Sequence, residues 1–179
     1  NLPETDGIPL DSPWHRDEIN LLVELVRCRF LGQNDFFVGG NMFIYYSFAQ
    51  VRNRQFLGPD FMFVRGVDRH QPRRYWAVWE ENGKYPNVIV ELLSESTARE
   101  DRTRKKIVYE QTFRTPEYYL YDPDTRDLEG WRLSGERYQL IQPNHRGWLW
   151  SDQLELWLGT WEGEYVGELA TWLRLYDPQ

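Results

Sequence analysis

The run Val88–Leu93 constrains the fold more than any other part of the chain. Its sequence, Val-Ile-Val-Glu-Leu-Leu, is apolar at every position except Glu91. A continuous apolar run of this kind is typical of a central strand that is buried on both faces. An ionised carboxylate inside such a strand is costly unless it has a partner. The run therefore predicts a buried strand whose one acid needs a cation beside it.

The residues after this run predict a strand, a helix and a second strand. Thr97 and Glu100 fit a capping box, so we expect a helix that begins there and continues to about Thr112. Pro116 prevents the helix from continuing, and Glu117–Tyr121 follows as another strand. A helical crossover joins parallel strands, so the sheet is expected to be mixed.

The rest of the chain adds one amphipathic helix and several short strands. Ser12 and Pro13 suit the N-cap and the first position of a helix that ends near Gly32. The pair Gly39-Gly40 predicts a hairpin between the strands on either side of it. The remaining predicted strands are Phe36–Val38, Asn41–Tyr46, Phe61–Val64, Tyr75–Trp79 and short aromatic strands after Leu128.

Length and composition favour a single domain. The chain has 179 residues, of which 41% are hydrophobic and 16% aromatic, enough for one sizeable core. We expect an α/β (α+β) core over about residues 12–123 and a C-terminal β-rich extension over about residues 124–179. A lone cysteine, Cys28, cannot form an internal disulfide, and no leader or long apolar run is visible. These features predict a cytoplasmic protein with no membrane partner.

Charge and aromatic content leave two questions open. The formal net charge is -7, yet basic residues cluster at Arg52 and Arg54, between Arg65 and Arg74, and between Arg99 and Lys106. These clusters are either solvated loops or a surface that faces phosphates. Aromatic residues at strand spacing favour a core or a dimer contact, although base stacking is the alternative. Six of the nine tryptophans lie in the extension: Trp131, Trp148, Trp150, Trp157, Trp161 and Trp172.

Two acids are candidates for a metal site. Asp60 follows Pro59 at the start of a predicted strand, and Glu91 lies within the central strand. Mg²⁺, or Mn²⁺, prefers oxygen ligands and commonly takes one or two carboxylates together with water and substrate phosphate. The backbone carbonyl of Leu92 is a possible third protein ligand. Asp60 and Glu91 on neighbouring strands therefore predict a divalent-metal site.

Lys105 is the candidate cation beside these acids. Asp101, Lys105 and Tyr109 are spaced four residues apart, which places them on one face of the predicted helix. Lys106 points about 100° away from that face. An ammonium near a metal site can orient the attacking water or neutralise the charge that develops on a phosphate. The alternative for Asp101 and Lys105 is a solvent-exposed helix ion pair.

These residues resemble a known family signature. The matching stretch runs from about His15 to Pro123, and its motifs are spaced along two-thirds of the chain. They are Pro59-Asp60, Glu91-Leu92-Leu93-Ser94, Ser96-Thr97, Asp101 with Lys105 and Tyr109, Thr115-Pro116-Glu117-Tyr118-Tyr119, and Asp122-Pro123. Together they resemble the Uma family of putative restriction endonucleases, part of the superfamily whose core motif is written PD-(D/E)XK.

The resemblance implies both a fold and a site. It implies a restriction endonuclease-like core, a mixed sheet flanked by helices, in which an aspartate and a glutamate bind a divalent ion. The usual lysine of the superfamily lies two residues beyond the second acid, but that position here is Leu93, so the role passes to Lys105. A further acid on the first helix often assists in related nucleases. Glu18 and Glu24 are both candidates, and the sequence does not choose between them.

The sequence thus predicts a divalent-metal-dependent endonuclease that acts on DNA. Its predicted catalytic set is Asp60, Glu91 and Lys105, supported by Asp101 and Tyr109. Symmetric dimerisation would bring two sites to two strands, so a homodimer is expected. The acidic net charge and Leu93 favour an alternative, a nuclease-like module that binds without catalysis. An RNA-directed hydrolase is a further alternative, because the same metal chemistry cleaves any phosphodiester.

Overall fold

The helices of this protein are mostly short. The computed structural model describes residues 2–5 and 12–179. In the first helix, Ser12 caps the N-terminus by accepting a hydrogen bond from the backbone N–H of His15. None of the helices in this described part is both long enough and apolar enough to cross a membrane. The helices are α1 (Pro13–Arg29), α2 (Phe48–Arg52), α3 (Ala98–Arg102) and α4 (Arg104–Ile107), with a 3₁₀ turn at Val78–Glu80 and a π-helix at Val108–Thr112.

The strands within the described residues form three sheets. The central sheet has six strands in the order β1-β3-β5-β6-β7-β8, a second sheet has the order β11-β10-β9, and β2 pairs with β4. Their bounds are β1 (Phe36–Gly40), β2 (Ile44–Tyr45), β3 (Phe61–Arg65), β4 (Trp76–Ala77), β5 (Val88–Leu92), β6 (Glu117–Tyr121), β7 (Leu128–Ser134), β8 (Arg137–Leu140), β9 (Leu149–Ser151), β10 (Leu156–Tyr165) and β11 (Glu168–Tyr176).

The central sheet is mixed, which confirms the predicted fold class. Its strands β5 and β6 run parallel, with Glu91 beside Leu120, while its other neighbouring pairs are antiparallel. Strands β7 and β8 belong to the predicted C-terminal extension, yet they continue this sheet. The second sheet is antiparallel and lies at the C-terminal end of the chain.

The hairpin predicted at Gly39-Gly40 is wrong. Both glycines lie inside β1, which pairs with β3 rather than with the following strand. A Cβ atom at Gly40 would come 2.1 Å from the side chain of Ile19, so this glycine allows α1 to pack closely on the sheet. Close backbone approach, not a turn, therefore explains the glycine. Of the strand predicted over Asn41–Tyr46, only β2 is present.

Two further element predictions need correction. The strand predicted over Tyr75–Trp79 is only β4, because the chain turns into the 3₁₀ segment directly afterwards. The helix predicted from Thr97 to Thr112 is interrupted at Thr103, whose backbone angles are φ -118° and ψ -89°. Thr97 is the N-cap as predicted, but its side chain makes no capping bond; it exchanges hydrogen bonds with Ser94 in the turn before the helix, so the capping box with Glu100 does not form.

Two apolar clusters cover the two faces of the central sheet. Val88, Val90 and Leu92 of β5 belong to the first cluster, which also contains residues of α1 and of the second sheet. Ile89 and Leu93 belong to the second cluster, which also contains Tyr109 of the π-helix. Alternation along the strand places Glu91 on the face of the second cluster. The one acid of the central strand therefore points toward the helices that follow it.

Candidate active site

Asp60 and Glu91 lie next to each other at one end of the central sheet. Antiparallel pairing of β3 with β5 sets Phe61 opposite Val90, so the next position outward sets Asp60 opposite Glu91. Both side chains then point to the same face of the sheet. The Oδ2 atom of Asp60 accepts a hydrogen bond of 2.7 Å from the backbone N–H of Leu92. The two predicted metal ligands are thus neighbours in space.

Lys105 reaches this pair from the helical layer above the sheet. Its Nζ atom lies 3.2 Å from Oε2 of Glu91 and 3.0 Å from Oδ1 of Asp101. The side chains of both acids are only 1% exposed, and that of Lys105 is 16% exposed. One ammonium therefore bridges two buried carboxylates.

Three successive helical segments supply the residues above Glu91. Asp101 lies in α3, Lys105 in α4 and Tyr109 in the π-helix, and the phenol of Tyr109 donates to Oε1 of Glu91 at 3.1 Å. The interruption at Thr103 does not separate the predicted trio. Single π-helical turns inside helices occur frequently at functional sites.

Burial governs the ionisation of this cluster. Desolvation raises the pKa of Glu91 well above its usual value, although the charge of Lys105 opposes the rise. Burial likewise raises the pKa of Asp101, although the charge of Lys105 lowers it in part. Desolvation alone lowers the pKa of Lys105, but the charges of Glu91 and Asp101 outweigh it and the net pKa is raised. Lys105 therefore stays protonated throughout the physiological pH range.

The phenol of Tyr109 is held in its neutral form. Burial raises its pKa well above the usual value, and the negative charge of Glu91 adds to the rise. The hydroxyl is consequently a donor to the carboxylate. Both oxygens of Glu91 thus have a hydrogen-bond donor, one from Lys105 and one from Tyr109.

Tyr118 supports the cluster and was not predicted from the sequence. Its hydroxyl donates a 2.8 Å hydrogen bond to the backbone carbonyl of Asp101, and its side chain is fully buried. This contact ties α3 to the central sheet. The period of two along Glu117–Tyr121 could have placed Tyr118 on the helix-facing side, but it could not name the bond partner.

The donor set consists of two carboxylates, the type of ligand that a divalent ion such as magnesium takes. Asp60 and Glu91 offer hard oxygen ligands at adjacent positions, and Mg²⁺ commonly uses one or two carboxylates with several waters. Within the described residues no group of three or more His, Cys, Asp or Glu side chains is arranged to hold a metal. The predicted third ligand, the carbonyl of Leu92, remains a prediction, since the structure shows the N–H of this residue at Asp60.

The other candidates lie elsewhere. Lys106 points away from the cluster as predicted, with its Nζ atom 4.0 Å from the ring centre of Trp131. Glu24 accepts a hydrogen bond from the hydroxyl of Tyr165. Glu18 is fully buried on the α1 side and accepts a hydrogen bond from the backbone N–H of Leu173. Both helix acids thus bond to the C-terminal sheet.

Comparison with known proteins gives the family of the chain and a similar fold. No curated protein matches the chain in sequence. A crystal structure of a putative nuclease of the family DUF820 from Anabaena variabilis superposes with a TM-score of 0.57 at 11% identity, over 84% of this chain and 81% of the other. At that identity the likeness concerns the fold. The model of the family Uma2, described as "putative restriction endonuclease", matches residues 8–165, and the chain therefore belongs to that family.

Proposed function

We propose that this protein is a divalent-metal-dependent endonuclease that hydrolyses phosphodiester bonds of DNA. Membership of the nuclease family supports the reaction class. The observation that carries the proposal is the convergence of Asp60, Glu91 and Lys105 at one end of the central sheet. Two adjacent carboxylates and a buried ammonium are the groups that metal-assisted phosphodiester hydrolysis needs.

In this proposal Asp60, Glu91 and the carbonyl of Leu92 hold Mg²⁺ or Mn²⁺. The bound ion supplies Lewis acidity toward the phosphate and lowers the pKa of a coordinated water. The protein's own part is to keep both carboxylates on one face of the sheet. The 2.7 Å hydrogen bond from the N–H of Leu92 fixes the side chain of Asp60, and Tyr109 fixes that of Glu91.

Lys105 acts as an electrostatic group rather than as a general base. A base must be able to accept a proton, and the raised pKa of Lys105 keeps its amine charged. Hydrolysis forms a bond between water oxygen and phosphorus and breaks a phosphorus–oxygen bond of the backbone, so negative charge builds on the phosphate oxygens. An ammonium fixed by Glu91 and Asp101 is placed to stabilise that charge.

Plasmid nicking tests the proposal. Supercoiled plasmid is incubated with the protein and Mg²⁺ or Mn²⁺, and relaxed and linear products are measured over time. We expect Asp60→Asn and Lys105→Met to slow nicking by about a hundredfold or more. Lys106→Met is the matched control, because it makes the same change one residue away, against Trp131. Equal nicking by all variants would exclude these residues from catalysis.

A second measurement separates binding from cleavage. Isothermal titration with Mn²⁺ reports whether Asp60→Asn loses a metal site, independently of any nicking. Metal binding without nicking would favour the nuclease-like binding module. RNA of the same sequence, run beside the plasmid, tests whether the substrate is DNA.

A homodimer is also part of the proposal, since two sites related by symmetry can act on two strands. Tryptophans of the C-terminal extension pack against other rings within the chain. The ring centres of Trp148 and Tyr176 lie 4.0 Å apart, and those of Trp172 and Trp14 lie 5.8 Å apart. Sedimentation equilibrium gives the mass in solution. A monomer at the concentrations used for nicking would contradict the dimer.

A further inference from the structure

Phe48 and Trp79 form an exposed pair of stacked rings. Phe48 is 69% exposed and Trp79 is 39% exposed, and their ring centres lie 4.7 Å apart at an interplanar angle of 28°. The two rings come from different elements, α2 and the 3₁₀ turn after β4. Large exposed aromatic surface is uncommon because its burial is favourable. We call this pair the aromatic platform.

Exposed arginines flank the aromatic platform. Arg52 lies one helical turn after Phe48 on the same face of α2, and Arg54 follows two residues later. Neither forms an ion pair with an acid among the residues that the structure describes. Glu80, next to Trp79, is the nearest acid in sequence and is also exposed. The local basic excess therefore lies at the end of α2 and in the turn after it.

Two arginines of the cluster between Arg65 and Arg74 are held by the fold. Arg73 forms a buried pair with Glu81, with its Nε atom 2.7 Å from Oε1, and its side chain is 2% exposed. The guanidinium of Arg65 lies over the rings of Phe30 and Phe63. No ion pair or ring contact of this kind involves Arg52 or Arg54 among the described residues, so both exposed side chains are available for a ligand.

Ring contacts connect the aromatic platform to the candidate active site. Tyr46, just before the N-cap of α2, contacts the ring of Phe113 at 5.3 Å. Phe113 in turn contacts Tyr109 at 5.4 Å, and Tyr109 donates to Glu91. Tyr46, two residues before Phe48, therefore belongs to the ring cluster that reaches Tyr109 at the candidate active site.

We propose that the aromatic platform stacks an unpaired nucleobase of the nucleic acid strand, while Arg52 and Arg54 contact its phosphates. This inference rests on the proposed function and adds a preference for single-stranded segments. Every base has a π-face that an exposed ring can stack on, whereas a paired base within a duplex hides that face. Arginine without an acid partner complements phosphate. An apolar protein segment would leave both arginines without a partner.

Fluorescence anisotropy in EDTA tests the platform without any cleavage. The probes are a short labelled single-stranded oligonucleotide and a blunt duplex of the same sequence. We expect the single strand to bind more tightly, and Phe48→Leu to weaken its binding about tenfold. Phe48→Tyr, which keeps a ring, should bind as the unchanged protein does. Leu169→Ala is the control, since Leu169 is 79% exposed on β11.

Several results would overturn the inference. Equal affinity of Phe48→Leu and Phe48→Tyr for the single strand would contradict base stacking on the platform. Equal affinity of the protein for single strand and duplex would contradict the preference for single-stranded segments. No binding of the single strand would overturn it as well. A loss of dimer mass in Phe48→Leu would identify the platform as a contact between copies of the chain. Because this assay needs no cleavage, binding of the single strand here, together with no nicking in the plasmid assay with Mg²⁺ or Mn²⁺, would reject only the proposed function.

Discussion

Replacing Lys105 by methionine should make the stability of this protein strongly dependent on pH. Methionine fills a similar volume but removes the ammonium between Glu91 and Asp101. Both carboxyls are 1% exposed, so neither can turn to water for solvation. Removing one partner of a buried ion pair typically costs about 3–5 kcal/mol, because the other charge stays buried. We expect a loss of that order near pH 8.

Protonation of the carboxyls relieves this cost at lower pH. Burial already raises the pKa of Glu91 above its usual value of 4.5, and without Lys105 the main opposing effect is gone. A group whose pKa is raised by folding favours the folded state below its unfolded pKa, and this contribution disappears as pH rises toward the folded pKa. Each such carboxyl lowers the free energy of unfolding by about 1.4 kcal/mol per pH unit in that window.

Urea unfolding followed by circular dichroism measures the effect. The free energies of unfolding of the unchanged protein and of Lys105→Met should differ little near pH 5 and diverge toward pH 8. The free energy of unfolding of Lys106→Met should change with pH as that of the unchanged protein does, because the ammonium of Lys106 lies against Trp131 and not between the two acids. A constant difference between Lys105→Met and the unchanged protein across this range would refute the role of the ammonium in holding the two acids.

Three further substitutions probe other buried polar groups. Glu18→Gln should reduce the loss of stability as pH rises, because burial raises the pKa of Glu18 and glutamine does not titrate; urea unfolding at pH 6 and 8 checks this. Arg73→Met should lower the free energy of unfolding by about 3–5 kcal/mol, because it leaves the buried Glu81 without its partner; thermal and urea unfolding measure it. Tyr118→Phe should cost about 1 kcal/mol through its lost bond to Asp101, and should increase amide exchange in α3.

The sequence predicted the central part of the fold because its signals there are local. The apolar run of β5, the helical segment after it and the strand β6 follow from hydrophobic pattern and from Pro116, and the parallel pair follows from the connection. The hairpin prediction at the glycines of β1 was wrong because a glycine required for close packing looks the same in sequence as a glycine required for a turn. Only the position of α1 on the sheet separates the two cases.

Helical spacing predicted that the three residues above Glu91 share one face. The pairing of distant strands determines which residues of the sheet they contact. Spacing placed Asp101, Lys105 and Tyr109 on one side, and the break at Thr103 was invisible in the sequence. That Asp60 lies opposite Glu91 depends on the pairing of β3 with β5, which no local pattern sets. Tyr118 and the aromatic platform were missed for the same reason, since each depends on a contact between distant segments.

The charge balance of the cluster relates the position of Lys105 on the helix to the proposed metal. When all groups are ionised, Asp60, Glu91 and Asp101 present three carboxylates to the single ammonium of Lys105, an excess of two negative charges. Protons can neutralise that excess, as the raised pKa values of Glu91 and Asp101 indicate, and so can one divalent ion. Protons and metal therefore compete for the same carboxylates, and metal affinity should rise with pH. A lysine on the strand at Leu93 would lack Asp101 one turn before it, whereas Lys105 in α4 is held at two points, by Glu91 and by Asp101.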